Sequence, residues 1–328
     1  MMRFRYRFPI HSPRRRRWTC IGIVGSCVAI LIAASAVAQA PSDLLKIDGS
    51  IADQEPIAPI PDPPAANPFK LALGERLFSD PRLSGSGALS CISCHDIRTN
   101  GARANDAIVS RPFDTLTVFN AVLSFRLNWE GNYRSPAAHV VSSLENPKNM
   151  RSSVEDVVRK LNADSGMVDQ FRAAYGGEPN GERFLDAIVT FEKSLVTPGA
   201  RFDRWLRGDR SALSETELEG YRLFKSLGCN SCHQGINVGG NLFERQGIFR
   251  PLVQRPPEIV RVPSLRNVAM TPPYFHDGSA ATLQDAVRRM AASQLDRTLT
   301  DEQVEPIVAF LRTLTGNYRG SPVAGATP

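Results

Sequence analysis

Two five-residue frames constrain this chain more than anything else in it: Cys91-Ile92-Ser93-Cys94-His95 and Cys229-Asn230-Ser231-Cys232-His233. Two thiols three residues apart on a helical turn can bond both vinyl groups of one porphyrin, and the next residue then offers an imidazole to the iron. C-x-x-C-H is the attachment pattern of c-type haem. Three other readings compete: a four-cysteine zinc site, a pair of redox disulfides, and chance. A thioredoxin-like pair needs no fixed histidine after it, and a zinc site made of four thiols needs neither histidine. Two copies of the whole frame therefore point to two covalently attached haem c groups.

The remaining cysteines, Cys20 and Cys27, fall in an N-terminal segment of a different kind. Residues 1–38 carry seven arginines and no acid. An apolar run from Trp18 to Ala38 follows, ending in the small-x-small patterns Ala36-Val37-Ala38 and Ala38-Gln39-Ala40. This reads as a signal peptide over residues 1–40, cleaved after Ala38 or Ala40, with an uncleaved anchor as the alternative. The expected location is the periplasm. The same arginines account for the formal net charge of +6; without them 32 basic and 33 acidic residues remain. That balance removes the basis for a nucleic-acid partner.

Residues 41–66 are rich in proline and alanine and read as an extended tether. Helical signals start at Asn67-Pro68, a cap followed by proline at the first helical position. Capping boxes appear at Ser152-x-x-Glu155, Ser214-x-x-Glu217 and Thr300-x-x-Gln303. Helical apolar spacing follows them, and Phe184–Leu195 shows it as well. No stretch alternates convincingly as a strand. Each Cys frame follows a helix carrying Leu-Phe, at Leu77-Phe78 and at Leu223-Phe224, which reads as two modules in tandem. The expected class is all-α: two cytochrome c-like domains over 67–200 and 201–328, with long loops at 96–116 and 234–274 wrapping the haems.

Several separated motifs, in order, resemble bacterial dihaem cytochrome c peroxidases and their MauG relatives. They are Leu73-Gly-Glu-Arg-Leu-Phe-Ser-Asp-Pro-Arg-Leu-Ser-Gly-Ser-Gly87, Thr117-Val-Phe-Asn-Ala121, Asn128-Trp-Glu-Gly131 and Val262-Pro-Ser-Leu-Arg-Asn-Val-Ala-Met-Thr-Pro-Pro-Tyr-Phe-His-Asp-Gly278. The resemblance runs over roughly residues 66–317. It implies that the His95 haem reduces hydrogen peroxide and that electrons enter at the His233 haem from a small donor protein, a cytochrome c or a cupredoxin. It further implies Met290 as distal ligand of the His233 iron, with Met270 as rival and plain core packing as the bland alternative. Trp129 matches the tryptophan that couples the haems. Asp114, Thr271 and Pro273 match positions around a calcium ion, and a homodimer is common in the family.

The peroxide side departs from the pattern. No histidine occurs between residues 96 and 138, and the family's Asn-Pro-x-Glu-Met reads Asn146-Pro147-Lys148-Asn149-Met150 here. Asn149 cannot take a proton from peroxide at neutral pH. His276 belongs to the Phe-His-Asp-Gly element and reads as structural or as lying near a haem propionate. His139, where a glutamine is usual, has three readings: a general base, a ligand closing the first iron, or a solvated surface histidine. The expected function is a dihaem peroxidase-like oxidoreductase. The alternatives are a dihaem electron carrier without peroxide turnover, and MauG-like oxidation of a protein or organic substrate.

Overall fold

The computed structural model describes residues 54–102, 114–253 and 256–325. The signal segment, tether residues 41–53 and most of the loop 103–113 lie outside them. The described part is mostly helical, as the class expected, and it belongs to one compact unit spanning Asp48–Pro328.

In the first half, helix α1 (Pro68–Phe78) starts at Asn67, whose side chain accepts from the N–H groups of Phe69 and Lys70. Helices α2 (Pro136–Glu145), α3 (Val154–Asn162), α4 (Ser165–Tyr175) and α5 (Gly181–Ser194) follow. Helix α1 crosses α5 at Gly74, where an added Cβ would lie 2.1 Å from the carbonyl oxygen of Ala187. The second half repeats this device. Helix α6 (Arg201–Leu206) leads into α7 (Glu215–Ser226), and α8 (Leu283–Leu295) leads into α9 (Asp301–Arg312). Helix α7 crosses α9 at Gly220, where a Cβ would lie 1.8 Å from the oxygen of Pro306. Each glycine stands three residues before its Leu-Phe pair, so the tandem repeat is carried by a backbone contact that no other residue permits.

A second repeat joins the halves. Asn120 and Asn267 each adopt a left-handed conformation, at φ 60°. Both Nδ2 groups donate to Thr197 Oγ1, at 2.8 and 3.0 Å, and all three residues are buried. Asparagine tolerates this backbone better than most residues, and each asparagine caps a short 3-10 turn.

Three expectations need adjusting. The box expected at Ser152 is displaced: Ser153 caps α3 by accepting from Asp156 N, while Ser152 Oγ bonds the Asp156 side chain. The loop 234–274 contains an antiparallel pair, β1 (Phe243–Arg245) with β2 (Ile259–Arg261), and a second pair joins β3 (Asn317–Tyr318) to β4 (Ser321–Pro322). These strands are too short for alternation to show. The tether is fastened over residues 55–60. Ile57 and Ile60 are 0% exposed. The oxygens of Pro56, Ala58 and Ile60 accept from Gly235, Arg266 and Arg207, each at 2.7 Å. The two isoleucines among the prolines supply the apolar anchors.

Candidate active site

Both Cys frames form short 3-10 turns, Cys91–Ser93 and Cys229–Ser231. The following histidines are held alike. Nδ1 of His95 lies 3.3 Å from the oxygen of Gly101, and Nδ1 of His233 lies 3.2 Å from that of Val238. A donor role for Nδ1 sets the tautomer in which Nε2 carries the lone pair a metal needs. Burial pushes His233 down to about 4, so it is a neutral imidazole. Burial also pushes the Cys91 thiol up to about 12 and that of Cys229 to about 11. Among the described residues no three His, Cys, Asp or Glu converge as a metal cluster, so the four-cysteine zinc reading falls.

A cavity of about 740 Å³ opens on the first frame. That is within the range of about 300–1,000 Å³ typical of small-molecule and cofactor sites. Phe78, Leu83, Phe184 and Ile188 give it apolar walls beside Cys91, Cys94 and His95. This donor set in an apolar, haem-sized hollow fits a covalently attached porphyrin. Glu192, one turn beyond Ile188 on α5, borders the cavity near Cys91, and burial pushes it up to about 8.

The opposite wall is polar. Along α2 the residues His139, Ser142, Ser143 and Asn146 line the cavity at helical spacing. His139 is half-buried; burial, with the charge of Arg261, holds it below its ordinary value of 6.5. The ring of Tyr133 packs on it at 5.3 Å. Asn149 lines the same cavity. Trp129 is fixed on two sides: its Nε1 donates to the Asp114 oxygen at 2.9 Å, and its ring meets His276 edge-on at 5.7 Å. The Asp114 N–H donates to the His276 oxygen at 2.9 Å, which ties Asp114 to the segment that follows Thr271 and Pro273.

At the second frame, Cys229 packs against the hydrophobic cluster that includes Leu283 of α8, the helix that carries half-buried Met290. Met270 packs elsewhere, against the cluster of Phe78, Phe119 and Phe191 that Cys91 and Ile92 of the first frame also join. Its carbonyl accepts from Asn100 Nδ2 at 2.8 Å.

Residues 68–211 match the family model described as di-haem cytochrome c peroxidase, and residues 215–311 match that of the cbb3-type cytochrome c oxidase subunit III. A cytochrome c551 peroxidase of Nitrosomonas europaea is 38% identical over 289 residues, covering 82% of this chain and 86% of that protein. The chain belongs to the dihaem cytochrome c peroxidase and MauG family. A cytochrome c551 peroxidase of Pseudomonas aeruginosa is 36% identical, covering 74% of this chain and 78% of its own length. The methylamine utilization protein MauG of Methylorubrum extorquens is 32% identical, covering 76% and 80%. A solved MauG-like protein associated with microbial copper homeostasis superposes with a TM-score of 0.66 at 25% identity, over 78% of this chain and 93% of that one. As a family member, this protein is a dihaem peroxidase-like oxidoreductase with two cytochrome c-type domains and two covalently bound haem c groups.

Tyr133, Glu192 and Arg261 also line the cavity and are not among the residues expected from the sequence. Glu192 was detectable as the one acid on the stripe Phe184, Ile188, Glu192. Arg261 was detectable as a charge inside the apolar run Ile259 to Val262.

Proposed function

We propose that the protein reduces hydrogen peroxide to water at the seat formed by Cys91, Cys94 and His95, with electrons entering at the seat formed by Cys229, Cys232 and His233. The observation that carries this reading is the shared wall: Trp129 and His139 border the same cavity as the first frame. Bound haem supplies the iron that takes peroxide and the two redox centres that pass electrons on. His139 supplies the proton movement in place of the family's glutamate. As a neutral base it would carry a proton from one peroxide oxygen to the other, so that the O–O bond breaks with water as the leaving group. The polar stripe Ser142, Ser143 and Asn146 admits the two solvent protons that complete two waters for two electrons. Trp129 lies in the path between the seats.

Met290 is assigned as distal ligand of the His233 iron; a thioether raises haem potential, which suits an entry site. Calcium is assigned to Asp114 with the carbonyls of Thr271 and Pro273, an all-oxygen set of the kind that ion takes. The domains divide as 67–200 and 201–328. The donor is a small cytochrome c or cupredoxin, and the working compartment is the periplasm. Among the described residues no helix is long and apolar enough to cross a membrane.

The test is stopped-flow peroxide reduction by His139→Ala alongside wild type. The expected loss is about a hundred- to ten-thousand-fold, with cyanide binding to the His95 iron intact. A six-coordinate first haem in the wild type, without cyanide binding or turnover, would leave an electron carrier instead. If His139→Ala opens a closed iron, His139 is a ligand.

A further inference from the structure

Among the described residues, Arg261 lines the first cavity without a charged partner. Arg261 is 6% exposed. Its main-chain N–H donates to the Trp129 oxygen at 2.8 Å, and its Nε to the Asn128 oxygen at 3.1 Å. The side chain borders the cavity, and among the described residues it makes no ion pair. Burial alone pushes it down to about 10, with no anion opposing the shift. Arg266, 2% exposed, shows how the chain otherwise treats a buried guanidinium. Its Nη1 meets Asp203 Oδ1 at 2.7 Å, while Nε and Nη2 donate to the oxygens of Ile236 and Ala58. An uncompensated buried cation is strongly unfavourable, so Arg261 implies an anion that arrives with a ligand.

We propose that Arg261 is the carboxylate-binding residue of the first seat, pairing with a propionate of the haem attached at Cys91 and Cys94. This rests on that haem filling the cavity. The two thioether bonds occupy the vinyl edge of the porphyrin, and the propionates leave the ring from the opposite edge. Cys91 packs with Phe78, Phe191 and Leu195, and the charge acting on it is Glu192. Propionates at that end would meet another carboxylate. Arg261 sits instead with Asn128 and Trp129, and Lys148 and Arg151, which also border the cavity, are exposed and hydrated. A guanidinium fork can take both oxygens of a carboxylate. The same residue holds the Trp129 carbonyl, so the pairing would link the haem edge to the tryptophan on the path between the seats.

The test uses Arg261→Gln and Arg261→Lys holoenzymes, in which thioether bonds retain the haem. A positive charge beside a propionate favours the added electron. The midpoint potential of the His95 haem should therefore fall in Arg261→Gln and recover toward wild type in Arg261→Lys, while that of the His233 haem stays put. Added acetate or bicarbonate should move neither wild-type potential. An unmoved His95 potential in Arg261→Gln overturns the proposal. So does a wild-type potential that tracks acetate through Arg261, which would make this a site for a free anion. Should Arg261→Gln fail to fold, the propionate-bending band in the resonance Raman spectrum of Arg261→Lys decides: a shift supports the pairing, and an unshifted band overturns it. Potential and band report on Arg261 whether or not peroxide turnover survives, so a failure of the peroxidase reading stays distinguishable.

Discussion

The ring of Tyr133 lies 5.3 Å from that of His139, tilted by 55°, and its hydroxyl is hydrogen-bonded to Ser142. The pair forms one block of the cavity wall, so the base is packed rather than hydrated. Burial favours neutral imidazole. A base works only when unprotonated, so the acid limb of kcat/KM for peroxide should fall at a pH below 6.5, the ordinary histidine value. Tyr133→Phe, which keeps the ring, should leave that limb in place; Tyr133→Ala, which wets the imidazole, should move it upward. A limb at or above the ordinary value in wild type would contradict the assignment.

Asn149 stands where the family carries a glutamate, and it borders the same cavity. Asn149→Glu should raise kcat/KM for peroxide by about tenfold or more, a conservative share of what acid–base help contributes. In a His139→Ala background it should restore part of the lost activity. No gain in either background would mean that this position cannot reach the bound peroxide.

Met270 packs against the cluster of Phe78, Phe119 and Phe191 that Cys91 also joins, not the cluster that Cys229 joins. Met270→Leu should therefore leave the near-infrared band of methionine-ligated ferric haem intact. Met290→His should abolish the band and lower the potential of the His233 haem. The opposite pattern would transfer the ligand role to Met270.

Glu192 has its pKa raised from 4.5 to about 8 by burial alone. The folded protein then binds a proton that the unfolded chain releases between these values. Stability is greatest below about 4.5, falls as pH rises through the window, and levels off above about 8. Denaturation midpoints of the holoenzyme at about pH 5 and about pH 9 should differ accordingly, and Glu192→Gln should reduce the difference. An identical slope in the variant would mean that other groups carry it.

If Asp114 holds calcium as proposed, removing the ion should loosen the link from Asp114 to Trp129. Chelation, or Asp114→Ala, should slow electron transfer between the haems without releasing either one. Unchanged transfer after verified metal removal would exclude this bracing role.

Much of this was legible in the chain. The Cys frames, the Asn67-Pro68 start and the boxes at Ser214 and Thr300 are local codes, and they appear where the sequence puts them. The cavity wall was harder to read because it is assembled from distant stretches. Tyr133 faces His139 only through the geometry of α2, and Arg261 reaches the cavity from a strand too short to show a period. The box at Ser152 moved to Ser153 because adjacent serines offer nearly equivalent caps, and tertiary contacts choose between them. The tether misled through composition: its prolines outnumber the two isoleucines that fasten it.

That fastening has a consequence for the order of assembly. Ile57 belongs to the same hydrophobic cluster as Phe310 and Leu314, residues about 250 positions later in the chain. The segment thus finds its berth only after about 250 further residues, α9 included, have been made. Contacts of such long sequence separation form late, because the intervening chain must first be gathered in. Docking of residues 55–60 is then a closing step, and resistance of this segment to limited proteolysis should mature only after both haem-bearing halves have folded.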